Sequence, residues 1–159
     1  MSNNKLNMGK ISAISISEKK GIPKSNVDCA ELIENFGIKG DAHAGKWHRQ
    51  VSLLAMESID TIRKKGLPDI KPGDFAENIT TEFINIPNIP IGTHIRMGKT
   101  AVLEITQIGK ECHSKCKIHE ITGDCVMPRE GIFARVITGG IISTGDEIEI
   151  LGNSKFIQE

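Results

Sequence analysis

The sequence predicts a mainly β domain, a closed or nearly closed antiparallel β-barrel of aliphatic core with one or two short helices. Three observations predict it. Short apolar runs rich in isoleucine recur between glycine and proline breaks, and β-branched side chains pack well on a pleated surface. A single segment spaces its apolar residues as a helix does. Aromatic residues make up only 4% of the 159, with one Trp and no Tyr, so aliphatic side chains must fill the core. Many short strands and little helix fit a sheet closed on itself.

Residues 1–9 read as a flexible, polar N-terminus without the apolar stretch of a signal peptide. Lys10 to Ser17 places Ile11, Ile14 and Ile16 in an imperfectly alternating strand, broken by Gly21-Ile22-Pro23. Asp28 to Phe36 suits either a strand or a helical turn. Gly37 to Gly45 reads as a loop, its glycines permitting positive φ. Val51 to Leu54 is a short buried strand. Glu57 to Lys65 is the helix: Ile59 and Ile62 share a face, Arg63, Lys64 and Lys65 suit the C-terminal dipole, and Gly66 stops it. Pro72-Gly73-Asp74 turns into a strand-like run from Phe75 to Thr81. Pro87 and Pro90 exclude a central strand between Ile84 and Ile91. Thr93 to Met97, Ala101 to Ile108, Ile132 to Thr138 and Glu147 to Leu151 read as strands. Turns at Met97-Gly98-Lys99, Gly139-Gly140 and Gly145-Asp146 bound them, and residues 152–159 read as a frayed tail. One domain over residues 10–151 accounts for the length.

Composition narrows function. Twenty basic and twenty acidic residues give zero formal net charge, without the basic excess that neutralises phosphates, so no nucleic-acid partner is expected. No run approaches the ~20 apolar residues needed to span a bilayer, so no membrane role is expected. The four cysteines (Cys29, Cys112, Cys116, Cys125) lie in a chain large enough to need no staples. Reduced thiols, a metal site or redox chemistry in the cytoplasm are therefore expected rather than disulfides.

The chemistry concentrates in Gln107-Ile-Gly-Lys-Glu-Cys112-His-Ser-Lys-Cys116-Lys-Ile-His119, followed by Gly123-Asp-Cys125. Lys110, Lys115 and Lys117 surround two thiols, and positive charge favours thiolate, the form that attacks sulfur or binds soft metals. Two other readings stand beside it. The cysteines can be small buried hydrophobes. Alternatively Cys112, Cys116, His119 and Cys125 can form a zinc set, although paired C-x-x-C knuckles are missing. Among other polar residues, His43, Arg49 and Gln50 are loop candidates, and Glu77-Asn78 suggests bracing.

Taken in order, several segments resemble the MOSC domain family, named for the C-terminal domain of molybdenum cofactor sulfurases. They are Gly40-Asp41-Ala-His43-Ala-Gly45, Arg49-Gln50-Val51-Ser52-Leu53, Pro72-Gly73-Asp74-Phe75-Ala-Glu77-Asn78-Ile79, Ile91-Gly92-Thr-His-Ile-Arg96-Met-Gly98, Gln107 to Cys112, and Gly131 to Gly140 running to Gly145-Asp146. Ile-Gly-Lys-Glu-Cys stands where many members have Pro-Arg-x-Pro-Cys. With Cys116 and Cys125 it is similar to the short stand-alone bacterial type associated with molybdopterin biosynthesis.

The resemblance implies a strand-rich barrel that binds molybdenum cofactor or molybdopterin and carries sulfur as a persulfide on Cys112, with Cys116 as a resolving thiol. It implies Cys112 as the ligand to molybdenum, and His43, Arg49, Asn78, Lys110 and Arg135 around an anionic pterin phosphate. Implied partners are a cysteine desulfurase and a molybdenum enzyme or molybdopterin-biosynthesis protein; no pyridoxal phosphate is expected in this chain. The alternatives are a molybdenum-dependent reductase of N-hydroxylated compounds and a non-catalytic pterin- or oxyanion-binding module.

Overall fold

The computed structural model describes residues 8–109, Ile118, Thr122 and residues 125–153. Among them lie eleven strands: β1 (Met8–Ile16), β2 (Ser25–Val27), β3 (Cys29–Ile33), β4 (Gly37–Ile38), β5 (Val51–Ala55), β6 (Ile79–Glu82), β7 (Thr93–Met97), β8 (Ala101–Ile108), β9 (Ile132–Thr138), β10 (Gly140–Ser143) and β11 (Glu147–Asn153). Two helices accompany them, α1 (Met56–Arg63) and α2 (Met127–Glu130).

Seven strands close the barrel in the order β1-β11-β7-β8-β9-β5-β6 and back to β1, with β2 added beside β1. Strands β10, β3 and β4 form a second, small sheet. Closure works because alternate residues turn inward. In β7, Thr93, Ile95 and Met97 are buried, and in β8, Ala101, Leu103 and Ile105 are. Ile95, Met97, Ala101, Leu103 and Ile105 join Ile11, Ile14, Leu53, Ile79, Ile132, Val136 and Ile148 in one apolar core. Each fully buried Ile or Leu contributes roughly 1.5–3 kcal/mol.

Strand β5 is buried along its whole length. Val51, Leu53 and Ala55 face the barrel core, while Leu54 joins a second apolar cluster outside the barrel. That cluster contains Ile59 and Ile62 of α1, Val126 and Met127 at α2, Phe133 of β9, and Cys125. The two helices therefore cap the outer surface of β5 and β9.

The barrel is mixed rather than purely antiparallel, because β5 and β6 pair in parallel (Leu53 opposite Ile79). The connection between them passes through α1, as a parallel pair requires a crossover rather than a hairpin. Other boundaries also differ from the sequence reading. Met8 and Gly9 belong to β1, pairing with Glu149 and Ile148, so strand structure begins before residue 10. Gly152 and Asn153 extend β11 by pairing with His94 and Thr93, where a frayed tail was expected.

The Phe75–Thr81 run is strand only from Ile79, because Ala76 takes a positive φ of 64° that no strand accommodates. Residues 28–36, ambiguous from periodicity, contain β3, and the loop read from Gly37 begins with β4. Gly140 is not only a turn residue. It opens β10, and a side chain there would overlap the Thr100 hydroxyl.

Candidate functional site: a cationic loop beside β8

Residues 41–50 fold back between β4 and β5, held by a buried polar cluster. The carboxylate of Asp41 accepts from Lys24 Nζ at 2.8 Å and the Ser17 amide at 3.1 Å through Oδ1, and from the His43 amide at 3.0 Å through Oδ2. Both side chains of the Lys24–Asp41 pair are fully buried. Burial alone would raise the Asp41 carboxyl. The Lys24 ammonium and the two amides outweigh it and hold the group below its ordinary 3.8. Lys24 also donates to Ser17 Oγ at 3.0 Å and meets His43 Nδ1 at 3.1 Å.

A second cluster fixes the neighbouring loop. Glu77 is fully buried and accepts from the amides of Gly73 (2.8 Å) and Phe75 (3.2 Å) and from the Thr80 hydroxyl (2.9 Å). Burial, the strongest influence, raises its carboxyl above the ordinary value of 4.5 against the pull of those donors. Asn78, also fully buried, accepts from the Ser52 amide at 2.9 Å and donates to the Ser15 carbonyl at 3.1 Å. Its side chain ties β5 to β1, the geometry of a brace rather than of a ligand contact. Gln50 likewise joins two segments, accepting from the Val136 amide and donating to Asn35.

Past these braces the loop presents its cations. The Arg49 guanidinium lies 4.8 Å from the Trp47 ring centroid and 5.4 Å from that of Phe133, while Lys20 sits 4.7 Å from the Trp47 centroid. Stacking on rings holds Arg49 in place without neutralising it. Its Nε is buried and has no hydrogen-bond partner among the described residues, a costly state for a charged donor.

The loop is linked directly to the strand that precedes the cysteine segment. His48 Nε2 meets Gln107 Oε1 at 2.7 Å, and the Thr106 hydroxyl bonds the His48 carbonyl. Gln107 in turn donates to the Gly109 carbonyl at 2.8 Å. Gly109, with φ of +77°, packs so closely against the Pro128 carbonyl that any side chain would overlap it, and its amide donates to the Gly131 carbonyl at 2.6 Å. The next residues in sequence are Lys110, Glu111 and Cys112.

Of the residues singled out from sequence, His43 and Arg49 come together in this loop, joined through Trp47, whose indole donates to the His43 carbonyl. Asn78 is enclosed one layer behind. Arg135 stands on β9 with its charge matched by Glu104 at 2.9 Å. Cys125 is buried in the second core, and Cys29 lies exposed on β3. Lys110, Cys112, Cys116 and His119 lie outside the described residues. Among the described residues no group of three His, Cys, Asp or Glu side chains could hold a metal ion. No helix among them is long and apolar enough to cross a membrane. Sequence reasoning missed Lys24 and Trp47. Lys24 follows the Gly21-Ile22-Pro23 turn and carries no periodic signal, whereas the only Trp of an aromatic-poor chain was a signal available to be used.

A model of the MOSC domain matches residues 40–149. The chain belongs to the MOSC domain family. Its fold is similar to that of the YuaD protein from Bacillus subtilis, at 21% identity and a TM-score of 0.77, covering 92% of this chain and 96% of that one. YiiM from Geobacillus stearothermophilus aligns at 16% identity and a TM-score of 0.68, covering 90% of this chain and 75% of that one. YiiM from Escherichia coli aligns at 19% identity and 0.62, covering 89% and 69%. These likenesses establish a shared fold. No curated protein matches the sequence.

The cofactor associated with the family is an anionic molybdopterin. The described residues fit its anionic side, since the orphaned Arg49 Nε calls for an acceptor that no described group supplies. Arg49 would hold an anionic oxygen there, with Lys20 adding positive charge from across Trp47.

Proposed function

We propose that this MOSC protein binds molybdenum cofactor or a related molybdopterin at the Trp47–Arg49 loop and carries sulfur for its maturation on Cys112. The observation that carries the reading is the buried Arg49 Nε, which lacks a partner among the described residues, with the guanidinium stacked against Trp47 and Phe133. Gln107 joins that loop to Gly109, three residues before Cys112. The loop that carries Arg49 is thus tied to the strand that leads in sequence to Cys112, which supports delivery of sulfur to an anionic pterin.

The Cys112 thiolate would attack the outer sulfur of a desulfurase persulfide, forming a new S–S bond. The desulfurase cysteine would leave as thiolate, so no outside oxidant is needed. Lys110 and its neighbouring lysines favour the attacking anion. Cys116 would then release the sulfur to the acceptor, leaving a Cys112–Cys116 disulfide for a cellular thiol to reduce. Function in the cytoplasm beside a cysteine desulfurase and a molybdenum enzyme or molybdopterin-biosynthesis protein follows from this role.

Incubating the protein with a cysteine desulfurase and ³⁵S-cysteine tests it. The expected result is label on Cys112 that reductant removes and that Cys112→Ala lacks. Label that persists in Cys112→Ala refutes the carrier role. Molybdenum bound at one equivalent, with reduction of an N-hydroxylated base, would move the reading to a reductase.

A further inference from the structure

The Arg49 Nε atom is out of reach of water as well as lacking a partner among the described residues. An anionic oxygen is no smaller than a water oxygen, so whatever excludes one excludes the other. An anion can therefore meet this donor only after its cover has moved.

Among the described residues, two rings lie against the guanidinium, those of Phe133 and Trp47. Phe133 stands on β9, is 4% exposed and packs in the second core with Leu54, Val126 and Met127. A ring so enclosed has no space to move into. Trp47 is only half-buried and lies in no strand or helix. Its indole Nε1 donates to the His43 carbonyl at 2.8 Å. The rest of the loop is anchored elsewhere, Gln50 to the Val136 amide and His48 to Gln107 and Thr106. Rotation of the Trp47 side chain thus uncovers Arg49 without unravelling the loop.

Charge holds the ring where it is. Lys20 Nζ and the Arg49 guanidinium, 4.7 and 4.8 Å from the Trp47 centroid, are both drawn to the same π-system. An aromatic face is a weaker partner for a guanidinium than an oxyanion, which accepts charge-assisted hydrogen bonds. An arriving anion competes for the cations that the ring holds, and the stronger partner displaces the weaker.

We infer that Trp47 is a gate over Arg49 Nε, covering the donor until an anion arrives and swinging aside as it binds. The inference rests on the proposed anion-binding reading and adds that entry is coupled to the movement of one side chain.

Trp47 is the only Trp, so its indole N–H gives a single resonance to follow beside the Arg49 Nε–H in ¹H–¹⁵N spectra. Inorganic phosphate is the probe. Titration should move both signals with one midpoint, as Nε gains an acceptor and the indole leaves the His43 carbonyl. An Arg49 signal that shifts while the indole signal stays fixed overturns the gate and leaves the anion-binding reading standing. Trp47→Ala gives a second measure that needs no anion. There the Arg49 Nε–H should exchange with water at least about tenfold faster than in the native protein. Equal exchange means that the ring is not the cover, and overturns the gate. The native titration keeps the inference testable if Trp47→Ala fails to fold. Phosphate that moves neither signal in the native protein, nor the Arg49 Nε–H in Trp47→Ala, refutes the anion-binding reading itself and the gate with it.

Discussion

Removing one partner of the Lys24–Asp41 pair should be the most damaging polar substitution in the protein. Both side chains are fully buried and in contact at 2.8 Å. Lys24→Met would leave a buried carboxylate with only the Ser17 and His43 amides to compensate it. Breaking a buried pair in this way costs about 3–5 kcal/mol, because the remaining charge can neither pair nor reach water. Asp41→Ala should cost at least as much, since it strands the ammonium and those two amides together. The double variant Lys24→Met with Asp41→Asn leaves no uncompensated charge, and the Asn oxygen can still accept from an amide. Its loss should therefore fall short of the sum of the singles by about 2 kcal/mol or more. Urea unfolding of the four proteins gives these free energies. Single losses below about 1 kcal/mol, or a strictly additive cycle, would refute the view that this pair anchors the loop.

Three further outcomes follow from the same geometry. Asp41 is held below 3.8, so its stabilisation is complete above that value and is lost as pH falls through the depressed folded value; acid should reduce the stability of the native protein more steeply than that of Asp41→Asn. Glu77→Gln should destabilise by about 1–3 kcal/mol in urea unfolding at neutral pH, because donors meet both carboxylate oxygens and an amide NH₂ must face one of them. Gly109→Ala, forced into positive φ and against the Pro128 carbonyl, should lower the melting temperature and also the persulfide yield on Cys112, whereas Gly145→Ala, at positive φ in open space, should lower only the first.

The barrel was legible because its inward faces repeat with period two. Thr93–Met97, Ala101–Ile108 and Ile132–Thr138 were read with the strand limits they have, each bounded by glycine or another turn signal. Where burial is two-sided or backbone geometry is unusual, pattern reading failed. The parallel β5–β6 pairing leaves no trace in either strand's own sequence, since a crossover is a property of the path between them. Phe75–Asn78 carries strand-like residues, but Glu77 captures the amides of Gly73 and Phe75 and bends the backbone through Ala76.

The site was legible in kind rather than in arrangement. Arg49 and His43 stood out as polar loop residues. What organises them, a lysine from before β2 reaching across to Asp41 and His43, depends on contacts 17 and 19 residues apart in the chain. Arg135 looked equivalent to Arg49 in sequence, yet Glu104 sits opposite it on β8, and only pairing register reveals that.

We propose that the Arg49 donor, unfilled among the described residues, marks where an anionic pterin binds. Anaerobic titration of purified molybdopterin into the native protein and Arg49→Ala, followed by pterin fluorescence, tests it most directly. Loss of a charge-assisted hydrogen bond predicts binding about tenfold to a hundredfold weaker in the variant, with the fold retained. Equal affinity for both proteins, or no binding to the native one, would contradict it.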